Sequence, residues 1–166
     1  MKPSEESGGW QELGDWIPGY RGYQALEARR ESDRLQREML ARILEDVKTP
    51  LNQAALRLAE EMQLEPLPLC ERLRGELDRL IGSFRGAVDG YSGFFDSVQV
   101  DEAMLERVYE FDFSLLGRTK EIAEKIEAIP HQAPAETATA IREVFTLINE
   151  LTFLWKQREE LLMGLQ

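Results

Sequence analysis

Apolar residues recur at helical spacing along most of this chain. From residue 101 onward, Met104, Val108, Phe111, Leu115, Thr119, Ile122, Ile126 and Ile129 follow at intervals of four, three, four, four, three, four and three. That spacing keeps one seam turned toward a partner helix. Asp101 stands where a helix N-cap is needed, and Glu102 and Glu106 lie near the positive end of the dipole. Further on, Ala138, Ile141, Phe145, Ile148, Thr152, Trp155 and Leu162 form another seam. A second row, Val144, Leu147, Leu151, Leu154, Leu161 and Leu165, widens that face beyond the needs of one groove and offers a surface for a homodimer.

Earlier in the chain, Met39, Leu40, Ile43, Leu44, Val47, Leu51, Ala54, Ala55, Leu58 and Met62 hold the same phase across Pro50. Proline removes one intrahelical hydrogen bond and crowds the preceding turn, so the pattern predicts one helix kinked near Lys48 and Thr49. Leu69, Leu73, Leu77, Leu80 and Ile81 mark the next helix. The periodic stretches cover about 24–63, 67–97, 101–129 and 135–165, joined by short loops. Short connections favour antiparallel neighbours, so the expected fold is all-α: an antiparallel four-helix bundle of long helices, up-down-up-down, forming a single domain over 24–166.

Residues 1–9 are polar and are expected to be flexible. Residues 10–23, WQELGDWIPGYRGY, carry two tryptophans and two tyrosines, too many rings for a free tail. Gly14, Pro18, Gly19 and Gly22 argue against a regular helix there. Either these rings fold back onto the bundle, the favoured reading, or they dock on a partner; Trp10, Trp16, Tyr20 and Tyr23 are then the anchors. The next segment, EARRESDRLQRE, is nearly all charge, with Glu27, Glu31, Asp33 and Glu38 spaced to pair with Arg30, Arg34, Arg37 and Arg42. It is expected to project as a solvated helix end, and Arg29, Arg30, Arg34 and Arg37 are the side chains it would offer to an acidic partner.

Two features interrupt the regular pattern. Gly75, Gly82, Gly86, Gly90 and Gly93 share one helical face, at a cost of about 0.5 to 1 kcal/mol each. Close packing against a backbone or against Phe84, Tyr91, Phe94 or Phe95 is the expected return, with a ligand slot as the sharper reading. Asp112 falls among Leu105, Val108, Tyr109, Leu115 and Leu116. A carboxylate there must be partnered or protonated, and Arg85 or a tyrosine hydroxyl is the expected partner. The functional alternative is a pocket built from Asp112, Tyr91, Tyr109 and Arg85 beside the Gly82 to Gly93 stripe.

The net charge of −11 and the absence of a basic segment leave no footprint for nucleic acid and disfavour an anionic membrane surface. Reversible membrane association through Trp10, Trp16 and Tyr20 is a minor alternative. A single cysteine, Cys70, a polar N-terminus and no long apolar run suit a cytoplasmic protein. His131, the sole histidine, sits between prolines, so no Glu-x-x-His pairs supply a di-metal site, and no phosphate-binding or nucleophile motif occurs. No cofactor is expected.

At IPGYRGYQALEARRESDRLQRE and DGYSGFFDSVQVDEAMLERVYEFDFSLL the chain resembles a group of uncharacterised bacterial helical-bundle proteins that carry similar Pro-Gly-Tyr and Gly-Tyr-x-Gly-Phe-Phe-Asp stretches in this order. The resemblance implies a bacterial source and a helical fold, and brings no activity. The leading functional expectation is a non-catalytic protein-interaction or scaffold module, binding another protein or its own copy. The runner-up is a ligand-binding or enzymatic bundle with its pocket at Asp112.

Overall fold

A computed structural model describes residues 10–86, 92–95, 100–129 and 133–164, and all regular structure among them is helical. The helices are α1 (Trp10–Trp16), α2 (Arg29–Asp46), α3 (Lys48–Glu60), α4 (Leu67–Gly86), α5 (Ser92–Phe95), α6 (Glu102–Ala128) and α7 (Pro134–Leu162), with a 3₁₀ turn at Leu26–Ala28.

The first long apolar run is divided at Val47, which sits in a turn between α2 and α3. Pro50 thereby falls in the first turn of α3, where its missing N–H leaves no intrahelical bond unmade. Met62 closes α3 in the left-handed region at φ 58°, with Gln63 N donating to Leu58 O and Met62 N to Ala59 O. That is a Schellman cap built on a residue other than glycine. Asp101 caps α6 as its position implies, accepting from Met104 N at 2.8 Å. The α6 seam faces inward: Val108, Leu115, Thr119, Ile122 and Ile126 are buried.

Cross-links between helices fix their relative order. Arg37 donates to Phe84 O, Lys48 pairs with Asp78, and Arg74 reaches Asn52, so numbering rises along α2 and α3 as it falls along α4. Arg158 with Asp112, Arg118 with Glu150, and Lys125 with Glu143 repeat that opposed order between α6 and α7. Helices α4 and α7 instead keep step in one direction, with Phe84 against Trp155 and the Arg72 guanidinium over Phe145.

Several expectations need correction. Residues 10–16 form a helix despite Gly14, and the irregular stretch begins only at Ile17, ahead of Pro18. Both apolar rows of α7 are used internally: Val144, Leu147, Leu151 and Leu161 are buried with Ile141, Ile148 and Trp155. Contacts with α6 and with α4 absorb these residues of the broad face, while Leu165 lies outside the described residues. The charged start of α2 does not project freely either, because Arg29, Ser32, Asp33, Gln36 and Arg37 are buried. Finally, a Cβ placed on Gly75, Gly82 or Gly86 would meet no described atom within 4 Å. Close packing is therefore not what the stripe provides at these positions; Gly90 lies outside the described residues.

Candidate functional site

Four charged side chains meet in the interior near one end of the helices. Arg158 occupies an inward seam position of α7, three residues after Trp155 and four before Leu162, and is 0% exposed. Its Nε donates to Asp112 Oδ1 at 2.5 Å, and its Nη2 to Asp33 Oδ1 at 2.7 Å. Arg37, one turn beyond Asp33 on α2, donates from Nε to Asp33 Oδ2 at 2.9 Å and from Nη1 to the Phe84 carbonyl at 2.9 Å. Two carboxylates face two guanidiniums, so the cluster is neutral, the condition on which buried charge is tolerated.

The N-terminal segment closes over this cluster. Leu13, Ile17, Tyr20 and Tyr23 turn inward and are buried. The Tyr23 hydroxyl donates to Asp112 Oδ2 and accepts from Arg158 Nη2 at 3.2 Å. Its backbone N–H donates to the Tyr109 hydroxyl, which in turn donates to Gln24 Oε1 at 2.5 Å. Arg29 Nε holds the Tyr23 carbonyl and Ser32 Oγ the Gly22 carbonyl, each at 2.7 Å. Gly19 and Gly22 take φ of +83° and +75°, the left-handed conformations that let the chain turn sharply on either side of Tyr20. Phe95 stacks on Tyr23 at 5.7 Å, and Tyr20 and Tyr109 flank the same ring.

Burial sets the proton affinities. It pushes Tyr23 and Tyr20 well up, with the Asp112 charge adding to the effect. Tyr109 is likewise pushed up by burial, to about 12. Asp112 is raised by burial against the opposing pull of Arg158 and of the Tyr23 hydroxyl. Burial alone would lower Arg158, yet Asp112 and Asp33 outweigh it and hold the guanidinium firmly protonated. The cluster braces the N-terminal segment, α2, α6 and α7 against one another.

The residues singled out by sequence are distributed differently from the expectation. Asp112 and Tyr109 do meet at Tyr23, but Arg85 is elsewhere: its guanidinium pairs with Glu38 and Glu45 on the outer side of α2 and α4. Tyr91 lies outside the described residues. Among the interaction candidates, Tyr20, Tyr23, Arg29 and Arg37 are buried and so turned away from any partner in this conformation. Arg34 is exposed and pairs with Glu31, Arg30 is exposed, and Trp10 opens α1. Trp16 is 59% exposed, with the Lys120 ammonium over its ring.

Sequence reasoning missed Arg158 and Asp33. A signal for the first was present, since the α7 seam has an arginine at the inward position between Trp155 and Leu162. For Asp33 there was none beyond its spacing from Arg37, which a solvated pair shares.

The grooves of the described surface include one of ≈ 250 Å³ between α6 and α7 at Glu124 and Glu143 and one of ≈ 780 Å³ between α4 and α7 along Gly82 and Gly86. Among the described residues no three His, Cys, Asp or Glu side chains form a metal-ligand set, and no helix is long and apolar enough to cross a membrane. Compared with family models, curated proteins and solved structures, the chain matches none.

Proposed function

We propose that this chain is a non-catalytic protein-interaction module of the bacterial cytoplasm: an antiparallel four-helix bundle, its first helix bent at Val47, that presents an aromatic anchor on its N-terminal segment. The opposed cross-links of α2 and α3 with α4, and of α6 with α7, support the bundle. One observation carries the functional reading. The segment 10–23 buries Leu13, Ile17, Tyr20 and Tyr23 yet leaves Trp16 59% exposed. An indole left in water forgoes one of the largest burial gains open to a side chain, and tryptophan is among the residues most enriched at the centres of protein interfaces. Phe113, also exposed, lies on α6, the helix that carries Lys120 and packs against α1. The acidic balance of the chain makes the partner a protein rather than a nucleic acid.

The test compares the wild-type chain with Trp16→Ala as bait for affinity capture, each first shown to have the same helical circular dichroism and melting temperature. Deleting residues 1–23 is unsuitable, because Tyr23 belongs to the buried cluster. The expected result is a protein retained by the wild type and lost from the variant. Identical capture by the two chains overturns the reading.

A further inference from the structure

We infer that the exposed face shared by α1 and α6 receives a basic, amphipathic segment of another protein, seated on Trp16 and Phe113. The inference rests on the reading of Trp16 as an anchor and adds the chemistry of its partner. Trp16 and Phe113 are 59% and 49% exposed. They belong to one surface, because the Lys120 ammonium lies over the Trp16 ring and Phe113 precedes Lys120 by seven residues on α6. Residues seven apart return to the same side of a helix, and seven rises amount to roughly 10 Å. One short segment of a partner can therefore cover both rings.

Charge identifies the occupant. Along the outer side of α6, Glu106, Glu110, Phe113, Lys120 and Glu124 recur at intervals of four, three, seven and four, so carboxylates stand at both ends of the apolar centre. On α1, Glu12 stands one turn before Trp16 and Asp15 adjoins it. All five carboxylates are exposed, and none is ion-paired among the described residues. Three cations of α6 are committed elsewhere: Arg118 to Glu121 and Glu150, Lys125 to Glu143, and Lys120 to the Trp16 ring. The face is thus apolar at its centre and negative at its rim, the anatomy of an interface.

A segment with Lys or Arg on either side of an apolar row matches both features, its cations meeting the rim while its apolar row covers the rings. From Glu106 to Glu124 the stripe runs about 27 Å, the length of about 18 helical residues. A second copy of this chain is a poor occupant, since it carries −11 and has no basic segment. Nucleic acid and anionic lipid are repelled by the same carboxylates.

The experiment is calorimetric titration of the full chain, at low salt, with a designed leucine–lysine amphipathic helix of about 18 residues and with its counterpart carrying glutamine for lysine. Trp16→Ala, Glu106→Gln/Glu110→Gln/Glu124→Gln and a charge control, Glu71→Gln/Glu76→Gln/Asp78→Asn on α4, are titrated alongside after circular dichroism has shown equal helicity. Helix α4 packs against α2, α3 and α7, so the control alters net charge equally away from this face. The lysine peptide should bind the wild type about tenfold more tightly than the glutamine peptide, and about tenfold more tightly than it binds either Trp16→Ala or the α6 variant. The α4 control should stay within about twofold of the wild type. No binding, equal binding of the two peptides, or equal weakening by the α4 control overturns the inference. Weakening by Trp16→Ala without weakening by the α6 variant overturns it too, yet leaves the anchor reading standing. Weakening by the α6 variant alone overturns the anchor reading and this inference with it.

Discussion

Replacing Asp112 by asparagine isolates the value of the buried cluster. Asp112 accepts from Arg158 Nε and from the Tyr23 hydroxyl, and it is 0% exposed. The substitution keeps the shape but removes one of two negative charges, so Asp33 alone faces Arg37 and Arg158 and the interior acquires a net positive charge. Removing one partner of a buried ion pair costs about 3 to 5 kcal/mol, and the low end applies because Asp33 still neutralises part of Arg158. Against a total stability of about 5 to 15 kcal/mol that is a large fraction. At roughly 2 to 4 °C per kcal/mol for a chain of this length, the melting temperature should fall by about 6 to 12 °C. Calorimetry and urea unfolding measure this directly. Arg158→Met alone should cost at least as much, whereas the double variant leaves the neutral Asp33 and Arg37 pair and should recover about 1 to 3 kcal/mol of the summed loss. A neutral or stabilising Asp112→Asn would refute the bracing role and mean that the carboxylate is held at a cost, as a functional acid would be.

Two further predictions concern protons and glycines. Burial raises Tyr20, Tyr23 and Tyr109, the last to about 12 from an ordinary 10.0, so the folded chain holds phenolic protons that the unfolded chain releases. Their stabilising contribution is complete below pH 10 and lost as pH rises, at about 1.4 kcal/mol per unit for each, or ~4 kcal/mol per unit together. Tyrosinate absorbance and helical ellipticity should therefore change together above pH 10; three tyrosines ionising with the helices intact would refute this. Gly75 and Gly117 lie in mid-helix with open space around them and outside the α4/α7 groove. Gly75→Ala/Gly117→Ala should stabilise by about 1 to 2 kcal/mol in urea unfolding, and destabilisation would reveal an unseen contact.

The helices were legible because burial in them is repetitive. The seam from Met104 to Ile129 and the Asp101 cap needed only local spacing and one side-chain oxygen. What escaped depended on pairing across the chain. Asp33 reads as a surface acid next to Arg37, and only the arrival of Arg158 from α7 explains its burial. Arg85 was a sensible partner for Asp112 by charge, but it extends from α4 toward Glu38 and Glu45 instead. The glycine stripe was visible as a pattern, yet whether it faced a backbone or solvent is a property of neighbouring helices, which spacing does not encode. Residues 10–16 are not legible as a helix because Gly14 reads as a helix breaker, although about two turns can carry it when Leu13 and the following Ile17 bury their side chains.

Tyr23 and Arg158 are in contact across 135 positions of sequence. Because a ribosome delivers the N-terminal end first, Tyr23, Asp33, Arg37 and Asp112 are all made before Arg158, the arginine that bridges the two acids. Asp33 already has Arg37 beside it, but Asp112 has no matching cation in the half-built interior until Arg158 is made, a state unfavourable enough to oppose compaction. Completion of α7 supplies that cation, so the N-terminal segment can close over a neutralised Asp112 only once Arg158 is in place.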